Sequence, residues 1–241
     1  MIEPALWPGF ARVFGWLAER KLRSTFAAAH ARGLNELAPD PSGRPTIVVA
    51  NHSAWWDGMV ALWIHERCLR SSGYALMDAD NLRRHRFFQR CGAVGVDPED
   101  PRDGARFLRW AKTHLANDPR ALWVFPQGHE RPGNPRPLRF EPGAASLSRL
   151  VKNARVLPVA LDYLFVGEAR PSLFISVGEP IEASGKSWER AQLQAQAVEH
   201  ELDCIAALVE GGRLHAGRLA EAQFETLFGK LPEDVPDFAT R

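Results

Sequence analysis

Two polar side chains, His52 and Asp57, follow directly on a run of apolar residues. The run Ile47 to Ala50 is rich in β-branched residues, which predicts a short buried strand that ends where the polar residues begin. Four residues separate the histidine from the aspartate, so a helix starting there would fold the carboxylate back onto the imidazole. A neutral imidazole can take a proton at neutral pH, and a carboxylate at its second nitrogen fixes the tautomer. The pattern predicts a general base with an orienting partner, unless the two residues only cap a turn and a helix.

A second apolar run, Ala121 to Phe125, also ends in polar residues. In a largely parallel sheet, ligands collect where the strands end, so His52 and Gly128 are expected to face one crevice. A glycine in that turn would let backbone amides approach a ligand closely. The candidate binding residues after this run are Gln127, Gly128, His129 and Arg131.

The alternation of apolar runs with helical patterns predicts an α/β fold, with a mixed, largely parallel sheet flanked by helices. Helices are expected after Asp57, from an N-cap at Asp103 to near Asn117, over 143–153, and from Ser187. Further strands are expected over 74–77, 93–97, 121–125, 156–161 and 173–177.

We divide the chain into residues 1–40, an N-terminal amphipathic helical segment, and residues 41–241, a catalytic domain with C-terminal helices. The first segment repeats Trp7, Phe10, Phe14 and Leu17 at helical spacing, with basic residues nearby. Such a stripe can lie in a membrane interface, or it can pack on the domain as an ordinary helix.

Composition narrows the class of protein. A net charge of +1 argues against a dedicated nucleic-acid binder, and three scattered cysteines suggest neither a disulfide framework nor a metal site. No long apolar window or signal-peptide pattern is present. We therefore expect a cytoplasmic protein, peripheral on the inner face of the membrane. A basic cluster could bind phosphate on a donor or lipid, or be a solvated helix face; it comprises Arg83, Arg84, Arg86 and Arg90.

Four ordered blocks resemble the glycerolipid (lysophospholipid) acyltransferase superfamily. Asn51 to Asp57 matches the family's Asn-His-four residues-Asp motif, with Asn51 and Ser53 as supporting positions. The other blocks are Gly92 to Asp97, Phe125 to Gly128, and Val156 to Ala160, with Phe140 to Ala145 matching the step between the last two.

The resemblance implies that residues 41–241 transfer an acyl group from acyl-CoA or acyl carrier protein to a lipid hydroxyl, without metal or bound cofactor. His52 would be the base and Asp57 its orienter, while backbone amides near Gly128 would stabilise the oxyanion. Gln127, His129 and Arg131 would border the acceptor.

Departures from the family pattern bear on the acceptor. The third block reads Gln127-Gly128-His129-Glu130 where the family has Glu-Gly-Thr-Arg, and Asp97 stands where a basic residue is expected. We expect a lysolipid other than lysophosphatidate, or a non-phosphate alcohol, although Arg131, Arg136 and Arg139 could restore phosphate binding. The alternatives are a non-catalytic lipid-binding protein on the same scaffold, and a metal hydrolase using a distant histidine such as His114 or His129.

Overall fold

The protein is built around one eight-stranded sheet with the order β10-β1-β7-β6-β2-β5-β3-β4. This computed structural model describes residues 1–115, 120–151, 153–181 and 185–230. The strands of the sheet are β1 (Ala29–Arg32), β2 (Thr46–Ala50), β3 (Tyr74–Asp78), β4 (Ala93–Val96), β5 (Leu122–Val124), β6 (Arg155–Leu164), β7 (Ser172–Val177) and β10 (Glu225–Phe228). A separate hairpin joins β8 (Val209–Glu210) to β9 (Arg213–Leu214).

Strands β2 to β6 all run in the same direction, because β2 pairs in parallel with β5 and β6, and β3 with β4 and β5. Strand β7 is antiparallel to β6, β1 is parallel to β7, and β10 is antiparallel to β1. The sheet is therefore mixed and largely parallel, as predicted. Strands β2 to β6 end at one edge, which we call the carboxyl edge.

Helices cover both faces of the sheet. Their bounds are α1 (Pro8–Thr25), α2 (Asp57–Trp63), α3 (Ala79–Arg84), α4 (Phe87–Arg90), α5 (Pro101–Leu115), α6 (Pro142–Leu150), α7 (Ser187–Ala206) and α8 (Ala216–Glu221). Alternate residues of β2 enter two separate cores: Ile47 and Val49 pack with α5, α6 and α7, while Val48 and Ala50 pack with α1 and α2. The alternation makes β2 a central strand that is buried on both faces.

The predicted strands lie where their apolar runs are, but the helix boundaries differ in detail. Helix α5 begins at Pro101, so Asp103 lies inside the first turn and is not the N-cap. Its carboxylate instead pairs with the amino group of Met1. The expected end near Asn117 lies outside the described residues. Helix α6 ends at Leu150 rather than Asn153, whose φ of 60° is left-handed and cannot continue a helix.

The N-terminal forty residues are not helical throughout. Helix α1 ends at Thr25, and β1 then enters the sheet between β7 and β10. The β1 sequence Ala-His-Ala-Arg carries no β-branched residue, so its extended form depends on pairing with both neighbours.

Helix α1 has a buried side and an exposed side. Small residues such as Ala11, Gly15 and Ala18 are buried, and Gly15 lies so close to Glu66 that a Cβ would collide with its side chain. The stripe's Trp7 and Leu17 are exposed, as are the neighbouring Val13 and Trp16, while Phe10 and Phe14 are half-buried. Within the described ranges, none of the helices combines the length and the apolar character needed to cross a bilayer.

Candidate active site

His52 and Asp57 meet in the turn between β2 and α2. His52 Nδ1 lies 2.7 Å from Asp57 Oδ2. The same oxygen accepts the backbone amides of Ser53 at 2.8 Å and Ala54 at 3.0 Å. Asp57 is fully buried, so its carboxylate depends on these donors for its solvation. The turn between β2 and α2 therefore holds the carboxylate and directs it at the imidazole.

The remaining face of the imidazole is available for chemistry. The His52 side chain is 23% exposed, and its ring packs on Phe125 with centroids 4.8 Å apart. Within the described ranges no protein group hydrogen-bonds Nε2. Because Nδ1 faces a carboxylate, the neutral ring has its proton on Nδ1 and a free lone pair on Nε2. This tautomer is the one that a general base requires.

The sequence interpretation missed Tyr163, whose hydroxyl donates to Asp57 Oδ1 at 2.6 Å. Strand β6 runs past the end of β2 and carries this tyrosine over the turn. Burial, followed by the charge of Asp57, raises the pKa of Tyr163 well above 10, so the hydroxyl keeps its proton. A signal was present, because the polar residues Asp162 and Tyr163 follow the apolar run that ends at Leu161.

Asn51 links the end of β2 to β6 and to the loop over the site. Its side chain bonds the backbone of Leu161 and, at 2.7 Å, the side-chain oxygen of Asn134. Asn134 in turn donates to Asp162 at 3.2 Å. Burial raises the pKa of Asp162, although the amide of Tyr163 and Asn134 both hydrogen-bond its carboxylate. Ser53, the other supporting position, contributes its backbone amide, while its buried hydroxyl has no partner among the described residues.

The loop after β5 hydrogen-bonds both sides of the His52 backbone. Gln127 Oε1 accepts the His52 amide at 2.6 Å, and the Arg131 amide donates to the His52 carbonyl at 2.7 Å. Gln127 is buried, and Arg131 is half-buried with an Nε atom that lacks a partner in the described structure. The two strand ends that the sequence analysis singled out therefore meet at His52.

Gly128 has a conformational role in the turn after β5. Its φ of 74° is left-handed, which favours glycine, and its amide donates to the Phe125 carbonyl at 3.1 Å. That amide is already used and is not free for an oxyanion. The backbone amides of Gln127, His129 and Glu130 make no hydrogen bond to any described residue, and among these three residues His129 and Glu130 are exposed while Gln127 is buried.

The basic cluster lies on α3, on α4 and in the link between them. These helices lead away from the pair His52 and Asp57, which we call the dyad. Helices α3 and α4 return from the carboxyl edge at β3 to the opposite edge, where β4 begins. All four arginines are exposed, Arg83 pairs with Asp80, and the Arg90 guanidinium lies over the Phe10 ring at 5.6 Å. Arg90 therefore adjoins α1, and within the described residues none of the four arginines hydrogen-bonds His52 or Asp57.

The proposed metal-hydrolase alternative gains no support from the site. Within the described ranges no three histidine, cysteine, aspartate or glutamate side chains are grouped as metal ligands. His114 hydrogen-bonds the Tyr74 hydroxyl at 2.9 Å, and His129 lies in the exposed turn after β5.

A buried carboxylate, an imidazole whose Nε2 has no partner among the described residues, and a polar loop thus lie together at the carboxyl edge of the sheet. The sequence profile of the family described as Acyltransferase matches residues 31–162, more than half of the chain. The chain belongs to this acyltransferase family, and the resemblance to glycerolipid acyltransferases is confirmed.

The fold of the chain is also similar to that of a solved structure. The crystal structure of the 1-acyl-sn-glycerophosphate (LPA) acyltransferase PlsC from Thermotoga maritima is similar, with a TM-score of 0.61 and 20% identity. The match covers 81% of this chain and 80% of that one, and it confirms the predicted fold class. No curated protein sequence matches the chain.

Proposed function

We propose that the protein transfers a fatty acyl group from an acyl thioester to a hydroxyl of a lipid acceptor, with His52 as general base. The observation that carries this proposal is the 2.7 Å contact between His52 Nδ1 and the buried Asp57, which leaves Nε2 free. Family membership supports acyl transfer as the reaction class.

The reaction needs no protein nucleophile. His52 Nε2 takes the proton of the acceptor hydroxyl as its oxygen attacks the thioester carbonyl, and Asp57 stabilises the imidazolium that forms. The tetrahedral intermediate carries a negative oxygen, for which the amides of His129 and Glu130 are candidate donors. Its collapse forms the ester and breaks the carbon–sulfur bond, and the imidazolium returns its proton to the departing thiolate.

We propose that the acceptor is a lysolipid other than lysophosphatidate, or a non-phosphate alcohol, so that no dianionic phosphate lies beside the reacting hydroxyl. Asp57, Asp162 and Glu130 all act electrostatically on the Tyr163 hydroxyl, so the dyad lies among carboxylates. A dianionic phosphate would be repelled there. Arg136, one of the arginines that could restore phosphate binding, pairs with Asp203 at 2.8 Å. Arg131, tied to the His52 carbonyl, keeps lysophosphatidate as the second candidate acceptor.

The donor is acyl-CoA or acyl carrier protein, and we place the protein on the inner, cytoplasmic face of the membrane. Support comes from helix α1, where Trp16 and Leu17 are exposed, and from its N-terminal end, where the exposed Trp7 and the Phe10 ring contact the exposed Arg90 of α4. Aromatic and basic side chains together favour the interface of an anionic bilayer.

The test is thiol release from a long-chain acyl-CoA by the purified protein, with a total lipid extract as the acceptor source. Mass spectrometry of the acylated product identifies the acceptor in the same reaction. Release that requires both lipid and His52, judged with a His52→Ala control, supports the proposal. No release with acyl-CoA or with acyl carrier protein would contradict it and favour a lipid-binding protein without activity.

A further inference from the structure

The two oxygens of Asp57 have different partners. Oδ2 accepts His52 Nδ1 and the two amides of the turn, whereas Oδ1 accepts the Tyr163 hydroxyl at 2.6 Å. Asp57 is fully buried, so water cannot replace a lost donor at Oδ1 without a rearrangement. Among the described residues, Oδ1 therefore depends on the Tyr163 hydroxyl for its hydrogen bond.

Tyr163 is held in place independently of the dyad. Its ring stacks on Phe26 with centroids 5.4 Å apart, and Phe26 also packs edge-on against Trp56, the residue before Asp57. Its backbone belongs to β6, which pairs with β2 up to Ala50. Sheet and aromatic packing fix the hydroxyl, so it can in turn fix the plane of the carboxylate.

We propose that Tyr163 is a positioning residue for the His52–Asp57 dyad: its hydroxyl holds the Asp57 carboxylate in the plane that points Oδ2 at His52 Nδ1. The inference rests on the proposed function. The hydroxyl also withdraws charge from the carboxylate, because a hydrogen bond to Oδ1 shares its negative charge. Without the hydroxyl, Asp57 would turn more freely and would attract the imidazole proton more strongly.

The test uses Tyr163→Phe, which retains the ring on Phe26 and removes only the hydroxyl. We expect kcat at neutral pH to fall about tenfold with KM unchanged, the size expected for a lost hydrogen bond to a charged group. The acidic limb of the rate profile should move to higher pH, because the imidazole holds its proton more tightly. A merely structural role would reduce the active fraction equally at every pH.

The chain offers a matched control in Tyr74→Phe, since the protein has two tyrosines. Tyr74 is buried on β3, its hydroxyl bonds His114, and it does not contact the dyad. Tyr74→Phe should leave the profile in place. An unchanged kcat and pH profile for Tyr163→Phe would overturn the inference while leaving the acyltransferase proposal intact.

A second measurement does not depend on activity. The proton shared by His52 Nδ1 and Asp57 should give a low-field proton NMR signal that is absent in His52→Ala. Tyr163→Phe should shift this signal, because Asp57 becomes a stronger acceptor, and Tyr74→Phe should not. A shift in a protein without acyl transfer would support the positioning role and reject the proposed reaction, whereas an unshifted signal would reject the positioning role.

Discussion

The side-chain amide of Asn51 hydrogen-bonds the backbone of Leu161 in both directions. Asn51 Nδ2 donates to the Leu161 carbonyl at 2.8 Å, and Asn51 Oδ1 accepts the Leu161 amide at 2.8 Å. The side chain thus replaces the strand pairing that β2 loses after Ala50, and it keeps the adjacent His52 aligned with β6. A motif asparagine consequently has a structural reason to precede the histidine.

Asn51→Ala should destabilise the fold, because it leaves the Leu161 amide and carbonyl buried without partners. We expect the free energy of unfolding in urea to fall by about 3 kcal/mol. Ser53→Ala is the matched control: it removes a buried hydroxyl that has no partner within the described residues, so stability should hardly change. Equal losses in the two variants would contradict the role given to Asn51.

The charge at position 130 should influence acceptor choice. Glu130 is exposed in the turn after β5, so solvent screens it and its effect is moderate. Glu130→Arg should raise turnover of lysophosphatidate relative to an uncharged acceptor by about three- to tenfold at low salt. Glu221→Arg on helix α8 makes the same change in net charge elsewhere. A wild-type preference for lysophosphatidate, or an unchanged ratio in Glu130→Arg, would refute the acceptor proposal.

Membrane binding is best tested on the exposed side of α1. Removing the helix would also strip Ala18 and Leu22 from the core, so point changes are cleaner. The double variant Trp16→Ser, Leu17→Ser should lower partitioning onto anionic phospholipid vesicles at least tenfold with unchanged stability.

The control for this experiment is Trp188→Ser, Leu193→Ser on α7, where the chain exposes a similar tryptophan and leucine. This variant should sediment with vesicles as the wild type does. If both double variants bind vesicles equally well, α1 is not the membrane surface.

The buried His65 should make stability depend on pH. Its Nε2 accepts the Trp123 indole N–H at 2.8 Å, and burial lowers the pKa of His65 from 6.5 to about 4. Between these values the unfolded chain binds a proton that the folded protein does not, so stability falls as the pH drops from 6.5 towards 4. The contribution is at most about 3 kcal/mol.

Urea unfolding at a series of pH values measures this contribution. His65→Gln retains an acceptor for Trp123 and should flatten the curve in that window, leaving the part due to His30, whose pKa burial also lowers to about 4. His85→Gln, at an exposed histidine, should follow the wild type. Identical curves for all three proteins would exclude His65 as the source.

Local sequence signals predicted the parts of the structure that local interactions determine. Apolar runs indicated the strands around β2. The contact between His52 and Asp57 was predictable because both residues belong to the short connection from β2 to α2. Tyr163 contacts Asp57 from 106 residues away, which only the pairing of β6 beside β2 creates. The sequence showed the arginines of α3 and α4 as a cluster. It did not show where they lie relative to His52, because that depends on the path of the connection between β3 and β4. Strand β1 escaped prediction because its neighbours, not its own residues, make it extended.

Two hydrogen bonds join the loop after β5 to the His52 backbone, one accepted by the Gln127 side chain and one donated by the Arg131 amide, so the proposed acceptor loop also holds the proposed base in place. Replacing this whole loop with that of a relative, to obtain a new product, should therefore displace His52 as well as change the loop. Exchanging only positions 129 and 130 keeps both hydrogen bonds to His52 and, with proline left out, both backbone amides, so a library limited to those two positions would sample new acceptors without displacing His52.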